Sequence, residues 1–179
     1  SLREVRIASP HSHADWRTLL ERLIELNGSG DMYVYVQVTR GAEYGRNHAF
    51  PEGVTPTVFA MACPLPVLTP EIRERGLRAV TIEDFRWGRC DIKATGLLAN
   101  VLMKQQAAEA GAEEAILVRD GEVLEGASTS LFVVRNGVLI TSPDSHRILP
   151  GTTRDVALEL AAPHMKIDVR GLDCDFYGC

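Results

Sequence analysis

The spacing of apolar side chains predicts helices at three places along the chain. Residues 14–26 place one set of apolar residues on a single face, namely Trp16, Leu19, Leu20, Leu23 and Ile24. Residues 95–110 repeat the helical period, with Leu98, Val101, Leu102 and Gln105 in phase. Asn27-Gly28 and Gly111 are typical helix stops. A third helix is predicted over residues 152–161, opened by Pro150-Gly151.

A period of two residues predicts strands. Residues 32–39 alternate strictly and predict a strand that buries Met32, Val34, Val36 and Val38. Apolar runs predict further strands over residues 57–62, 77–83, 114–119, 130–134 and 138–141. Asp120-Gly121 turns one strand back, and Asn136-Gly137 is a strong hairpin signal because both positions require positive φ. Helices and strands mixed in this order favour an α+β fold over a doubly wound sheet.

A proline-rich stretch from Cys63 to Pro70 is typical of a linker, since proline cannot continue a strand ladder. We therefore place a domain boundary near Leu68, with residues 1–67 in a small N-terminal domain and residues 68–179 in a larger one. The chain opens without methionine, and its last residues begin a strand pattern. Both domains are accordingly expected to be partial, within a longer protein.

Composition narrows the class of function. Hydrophobic residues make up 45% of the 179-residue chain and charged residues 24%, as in an ordinary globular protein. The net charge of -5 argues against nucleic-acid binding, and no apolar run is long enough to span a membrane. We expect a cytoplasmic location because no leader is apparent. The four cysteines are expected to be free thiols, and they are Cys63, Cys90, Cys174 and Cys179. No metal site is expected.

Lys93 is the candidate nucleophile. It ends the run Arg89-Cys90-Asp91-Ile92-Lys93, between a strand region and the start of a helix, from which its side chain can project into a cleft. A partly desolvated lysine amine loses its proton and attacks aldehydes. A lone lysine is far more often a surface residue, and Lys104 and Lys166 serve as comparisons.

Two further segments could bind the parts of an aromatic phosphate cofactor. Pro150-Gly151-Thr152-Thr153 leads into a helix, whose exposed amides and dipole favour a phosphate. Glu125 is expected at a strand end, before small and hydroxyl residues. A carboxylate there can keep a pyridine nitrogen protonated, so that the ring accepts electrons. Each signal alone is weak, since threonine caps and acidic turns are common.

Arg46 and His48, on either side of Asn47, are candidates for binding a carboxylate. An arginine fork can bind such a group through two parallel hydrogen bonds. The simpler interpretation is a solvated basic loop. Together, the four signals supply an amine, a phosphate site, a pyridine partner and a carboxylate clamp, which are the parts that a pyridoxal-phosphate enzyme acting on amino acids requires.

Four ordered motifs resemble the D-amino-acid transaminases of the branched-chain-aminotransferase-like family. They are Val38-Thr39-Arg40-Gly41 with Arg46-Asn47-His48, Arg89-Cys90-Asp91-Ile92-Lys93 with Leu97-Leu98 and Asn100-Val101, Glu125-Gly126 with Phe132, and Leu149-Pro150-Gly151-Thr152-Thr153-Arg154-Asp155. The resemblance covers nearly the whole chain. It implies pyridoxal 5'-phosphate (PLP) fold type IV, with a small and a large domain.

The resemblance also implies roles for individual residues. Lys93 would hold the cofactor covalently and move the proton, and Glu125 would contact the pyridine nitrogen. Thr152 and Thr153 would help hold the phosphate. Arg46 and His48 would bind the substrate carboxylate, supplied in this family by the partner subunit. These roles imply a homodimer that transfers an amino group from a D-amino acid to a 2-keto acid.

The sequence departs from the family at several points. Gly96 replaces an asparagine found in many members, and Ala127 and Thr129 replace serines. Family members also carry a phosphate-binding arginine and a carboxylate-binding tyrosine upstream of this sequence. Two alternatives stay open. One is a branched-chain L-amino-acid aminotransferase or aminodeoxychorismate lyase of the same fold, and the other is a non-catalytic relative.

Overall fold

The computed structural model describes residues 1–173 and separates the chain into two compact units, one spanning Ser1–Thr69 and one beginning at Pro70. The division falls close to the boundary predicted near Leu68. The assignment of these units to a partial small domain and a partial large domain stays a prediction. No helix within residues 1–173 is long and apolar enough to cross a membrane.

The first unit consists of one helix and a two-stranded sheet. Helix α1 (His13–Leu26) begins at a capping box, in which Ser12 and Asp15 each bond to the other's backbone amide. Strands β1 (Met32–Thr39) and β2 (Thr57–Pro64) are antiparallel, with Met32 opposite Pro64 and Thr39 opposite Thr57. The predicted linker is therefore wrong at its start, because Cys63 and Pro64 complete β2.

The predicted buried face of β1 is only half-buried. Met32, Val34 and Val38 are partly covered, whereas Val36 is 40% exposed. The apolar face of α1 likewise contains no fully buried residue. Since a two-stranded sheet with a single helix offers little area to cover these faces, the alternation predicts the correct strand but overstates its burial.

The second unit contains the remaining helices and strands. These elements are α2 (Pro70–Arg75), β3 (Ala79–Glu83), α3 (Leu98–Glu109), β4 (Glu114–Arg119), β5 (Glu122–Gly126), β6 (Val133–Arg135), β7 (Val138–Thr141), α4 (Thr152–Ala161), β8 (Lys166–Val169) and β9 (Leu172–Asp173). α2 and β8 are not predicted from the sequence, because both are short and carry weak patterns. The mixture of elements confirms the α+β prediction.

The strands of this unit form two sheets. One has the order β3-β4-β5-β9 and the other the order β6-β7-β8. β3 pairs with β4 in parallel, and α3 connects the two strands along the chain. β7 pairs with β8 in parallel, and α4 connects them. The other pairs are antiparallel. Each parallel pair is thus joined by a helix, as the geometry of a crossover requires.

Two turns have the backbone that their sequences demand. Asn136 and Gly137 have φ values of 52° and 75°, which confirms the predicted hairpin. Asp120 and Gly121 also have positive φ and join β4 to β5. The strand before the Asn136-Gly137 turn was predicted over residues 130–134 and is instead Val133–Arg135, next to the turn that fixes its register.

The core beneath α3 corrects the predicted helix in two respects. The helix begins at Leu98, three residues later than expected. Its buried residues are Met103 and Ala107, one turn apart, which pack with Ala115 and Leu117 of β4. The face predicted from the periodicity is largely exposed, at 73% for Leu98, for example. Small and flexible side chains fit against the sheet and thereby decide which face is buried.

The described cysteines agree with the expectation of free thiols. Cys63 and Cys90 are both unbridged. Cys174 and Cys179 lie outside the described residues. β9 (Leu172–Asp173) forms where the strand pattern of the last residues begins, and the rest of that pattern lies outside the described residues.

Candidate active site

Glu125 lies near the end of β5, at a strand end as predicted, and its carboxylate is buried. Its residue is 6% exposed. The Nη1 atom of Arg86 donates to its Oε1 at 2.6 Å, and the backbone amide of Leu149 donates to both of its oxygens at 3.2 Å. A buried carboxylate is costly unless it is paired and hydrogen-bonded, and these donors satisfy that requirement.

Arg86 connects Glu125 to a second buried carboxylate, that of Asp84. Its Nε and Nη2 bind the two oxygens of Asp84, each at 2.9 Å, in the parallel geometry of an arginine fork. The Nη2 of Arg119 also lies 2.9 Å from Asp84 Oδ2. Two cations and two carboxylates therefore form one balanced cluster. The sequence gives no signal for this cluster beyond the position of Asp84 and Arg86, two residues apart directly after β3.

The two buried carboxylates of this cluster have pKa values that are shifted in opposite directions. Burial raises the pKa of Glu125, and the hydrogen bond and charge of Arg86 only partly oppose this effect. Burial would also raise the pKa of Asp84, but hydrogen bonds from Arg86 and the charges of Arg86 and Arg119 bring it below its usual value. The difference arises because Asp84 faces two guanidinium groups whereas Glu125 faces one.

Glu125 retains capacity to accept a further hydrogen bond. Arg86 and Leu149 both donate to Oε1, while among residues 1–173 the Oε2 atom accepts only the shared Leu149 amide. An ionised carboxylate has about four lone-pair positions on its two oxygens. An N–H donor that approaches Oε2 would therefore complete the hydrogen bonding of this buried group.

One short segment, residues 146–149, contacts three candidate elements of the site. The carbonyl of His146 accepts a hydrogen bond from the amide of Cys90 at 2.8 Å. Cys90 lies three residues before Lys93 in the chain. The carbonyl of Arg147 accepts from Arg86, and the amide of Leu149 donates to Glu125. α4 begins three residues after Leu149, so its N-terminus lies at most ~11 Å along the chain from the Glu125 contact.

Lys93 lies in the loop between Cys90 and α3, as expected from its position in the sequence. Its residue is exposed. The partial desolvation expected for its amine is therefore not provided by the described residues. Lys104, chosen as a solvated comparison, is instead held by the carbonyl of Glu113 at 2.6 Å and by the carboxylate of Glu114 at 2.9 Å. Lys166, on β8, is exposed and is the better comparison.

The N-terminus of α4 has the features expected of an anion site. Gly151 is its N-cap, and no side chain caps its first amides. Thr152 and Thr153 follow and are exposed. Beneath them, Arg154 is 4% exposed, with Nη1 bonded to Asp144 and Nη2 to the carbonyl of Ser142. Uncapped amides, hydroxyls and the helix dipole together favour a bound phosphate.

The segment after Glu125 is held in place by Glu114. The carboxylate of Glu114 accepts from the hydroxyls of Ser128 and Thr129, each at 3.1 Å. The side-chain amide of Asn100 donates to the carbonyl of Ala127 at 2.7 Å. Ala127 and Thr129 are two positions at which the sequence departs from the family, and both belong to this restrained segment.

Arg46 and His48 belong to the first unit, in the long connection between β1 and β2. Both are exposed. The side chain of Asn47 between them accepts from the amide of Ala49 at 3.2 Å, which orders this part of the connection. Both residues lie on one loop, and their role in binding a carboxylate stays a prediction.

Comparison with known proteins identifies the family. Residues 1–175 match the family described as Amino-transferase class IV. The chain belongs to this family. The D-alanine aminotransferase of Bacillus licheniformis is 42% identical over 161 residues, which cover 89% of this chain and 56% of that protein. The chain thus spans about half the length of this curated relative, and the resemblance to D-amino-acid transaminases is confirmed.

Solved structures have the same fold. The branched-chain amino acid aminotransferase of Escherichia coli superimposes with a TM-score of 0.81 at 25% identity, covering 96% of this chain and 59% of that one. The corresponding enzyme of Thermobaculum terrenum, in its PLP form, gives a TM-score of 0.78 at 24% identity, covering 96% of this chain and 58% of that one. A protein assigned as 4-amino-4-deoxychorismate lyase in Legionella pneumophila gives a TM-score of 0.83 at 21% identity over 97% of this chain and 64% of its own. These matches confirm fold type IV.

The cofactor of this family is PLP, and the residues of the second unit fit it chemically. Oε2 of Glu125 can accept from a protonated pyridine nitrogen, and the uncapped start of α4 suits a phosphate. Lys93 supplies a primary amine. The amide of Leu149 donates to Glu125, and the carbonyl of His146 accepts from Cys90, three residues before Lys93. α4 begins three residues after Leu149, so all three elements belong to one unit.

Proposed function

We propose that the complete protein transfers an amino group from a D-amino acid to a 2-keto acid. The observation that carries the chemistry is the bond from Leu149 to Glu125, which ties the candidate pyridine partner to the start of α4. The choice of D-amino acids is supported by the 42% identity to a D-alanine aminotransferase. PLP, when bound, supplies the electron sink that makes the α-proton of an amino acid removable.

Lys93 is proposed as the residue that holds the cofactor and moves the proton. Its amine would form the covalent bond to the cofactor. Once released by an incoming amino acid, the amine would take the proton from the substrate α-carbon and return it at a later step of the transfer. Its position supports this proposal, because Lys93 lies in the loop between Cys90 and α3 and is exposed to a ligand.

Glu125 is proposed to hold a proton on the pyridine nitrogen. Its Oε2 would accept that N–H, while Arg86 and Leu149 keep the carboxylate fixed. Since the charge on the ring changes during proton removal, a preorganised carboxylate stabilises the transition state more than the resting state.

Thr152 and Thr153 are proposed to bind the phosphate through hydroxyls and first-turn amides, and Arg46 with His48 to bind the substrate carboxylate. The two sets belong to different units of the chain. We further propose a homodimer in which the carboxylate-binding loop serves the partner's site, and a cytoplasmic location. The resemblance to the family and the free thiols Cys63 and Cys90 support these last two proposals.

An assay of the complete protein tests the proposed reaction. Formation of keto acid is measured for a panel of D- and L-amino acids, with and without a 2-keto acid acceptor. We expect turnover of D-amino acids that requires the acceptor. Turnover of branched-chain L-amino acids alone would instead favour a branched-chain aminotransferase, and reaction without acceptor would favour a lyase. No turnover together with no PLP binding would indicate a non-catalytic relative.

A further inference from the structure

The two ends of the connection between β1 and β2 lie against each other. Thr39 pairs with Thr57, so residues 40–56 form one long loop. Gly41 has a φ of 123°, and a Cβ at this position would lie 2.3 Å from the backbone oxygen of Thr55. The two ends of the loop are therefore packed backbone to backbone, and only glycine allows this approach.

Arg40 makes a second connection across this loop. Its guanidinium lies 3.6 Å from the centre of the Phe50 ring, which is the geometry of a cation–π contact. Phe50 is only two residues beyond His48 and four beyond Arg46. The position of the ring thus constrains the part of the loop that carries both candidate carboxylate-binding residues.

The guanidinium of Arg40 is also hydrogen-bonded to the turn formed by residues 2–6. Its Nη1 donates to the carbonyl of Arg6 at 2.9 Å, and its Nη2 donates to the carbonyl of Val5. That turn is closed by its own backbone bonds, including Ile7 to Leu2 at 3.0 Å. Arg40 therefore joins a closed turn on one side to Phe50 on the other, and it does so with a planar group that lysine cannot imitate.

We propose that Arg40 is a positioning residue, which orders the loop through Phe50 so that Arg46 and His48 are held ready for a substrate carboxylate. This inference rests on the proposed function of Arg46 and His48. Holding a carboxylate clamp in place before binding reduces the entropy lost on binding. Arg40 itself need not touch the substrate.

The test uses the complete enzyme with three loop variants: Arg40→Gln, Phe50→Leu and Phe50→Tyr. Arg40→Gln removes the cation of the stacked pair and Phe50→Leu removes its ring, whereas Phe50→Tyr keeps an aromatic ring. Arg22→Gln is the matched control, because Arg22 is an exposed arginine of α1 in an ion pair with Glu25. KM and kcat are measured for a D-amino acid and for an amine without a carboxylate.

We expect Arg40→Gln and Phe50→Leu to raise KM for the D-amino acid about 10-fold or more, as small displacements of binding groups do. Both variants should leave KM for the amine unchanged, while Phe50→Tyr and Arg22→Gln should behave as the wild type. An unchanged KM for the D-amino acid, or an equal loss for both substrates, would overturn the positioning role.

Hydrogen exchange separates this proposal from the function on which it rests. In Arg40→Gln, amides of residues 42–50 should exchange faster, while those of α1 keep their protection. Unchanged exchange in the loop overturns the proposal whatever the substrate is. If the wild type does not turn over D-amino acids, or Arg46→Leu leaves KM for them unchanged, the proposed function fails instead, and the exchange data still decide whether Arg40 orders the loop.

Discussion

Arg86 Nη1 lies 2.6 Å from Glu125 Oε1, and the two side chains are only 7% and 8% exposed. The same guanidinium binds both oxygens of Asp84, whose side chain is completely buried. The single positive charge of Arg86 is therefore shared between two carboxylates. The carboxylate proposed to act on the cofactor is thus one member of a structural cluster, and its properties depend on residues that never approach a substrate.

Replacing Arg86 by methionine should strongly destabilise the protein. The change leaves Asp84 and Glu125 buried without their shared cation, and breaking a buried pair typically costs about 3–5 kcal/mol. Denaturant unfolding followed by circular dichroism measures the loss. Arg75→Met is the control, since Arg75 pairs with Glu113 at the surface, where solvent screens the charges. Equal losses in the two variants would show that the buried cluster contributes nothing special.

The pH dependence of stability should change in opposite directions for the two buried carboxylates. The pKa of Asp84 is lowered in the folded state, so its contribution is present above the unfolded value of 3.8 and is lost as the pH falls through the folded value. The pKa of Glu125 is raised, so its contribution is present below 4.5 and is lost as the pH rises through the folded value.

Denaturation of Asp84→Asn and Glu125→Gln across the acid range measures these slopes. Relative to wild type, the stability deficit of Asp84→Asn should shrink as the pH falls below 3.8. The deficit of Glu125→Gln should shrink as the pH rises above 4.5. Parallel curves for the two variants would contradict the opposite pKa shifts.

The backbone of this fold is largely readable from the sequence. Strand β4 and helix α4 occur where an apolar run and the Pro150-Gly151 start predict them, because these local signals agree there with the final packing. The buried face of α3 could not be read in this way. Its periodicity points to Leu98, yet Met103 faces the sheet, since the choice depends on the surface supplied by β4.

The sequence proposes residues for the candidate site, and their roles stay predictions, but it does not reveal the residues that support Glu125. Glu125 became a candidate only in combination with the other three signals and through the family resemblance, because an acidic residue at a strand end is a weak signal by itself. Its partner Arg86 is 39 residues away in sequence, and only the pairing of β3, β4 and β5 brings the two together. Arg40 was noted only as part of a motif, because a contact with Phe50 across a folded loop leaves no periodic signal.

Lys93→Ala should abolish transamination by the complete protein and remove the visible absorbance of lysine-bound cofactor. The amine is proposed to be both the covalent anchor and the proton carrier, so no other group can replace it. Lys166→Ala is the control, because Lys166 is exposed on β8 and Lys104 is engaged with Glu114. Retention of the absorbance in Lys93→Ala would refute the assignment.

Glu125→Gln should lower kcat much more than it weakens PLP binding. The amide keeps the shape of the carboxylate but cannot balance positive charge on the pyridine nitrogen, so the loss falls on the transition state. Steady-state rates and a PLP titration of the complete protein measure the two effects. A kcat equal to that of the wild type would exclude the proposed role.

Arg46→Leu should raise KM for amino acids roughly 30-fold or more, the scale of losing one side of a charge pair. Reactivity toward amines that lack a carboxylate should be spared. Arg17→Leu, at an exposed arginine of α1, provides the control. A comparable loss for both kinds of substrate would mean that Arg46 supports the fold of the loop instead of binding the carboxylate.

The balanced cluster also restricts how this sequence can change over evolutionary time. Asp84, Arg86, Arg119 and Glu125 carry two charges of each sign in one buried network. A mutation that removes a single charge leaves an opposite one stranded, whereas loss of a cation together with a carboxylate restores neutrality. Sequence drift at these four positions must therefore proceed by paired replacements. The positions should covary as a group, although they come from the loop after β3, from β4 and from β5.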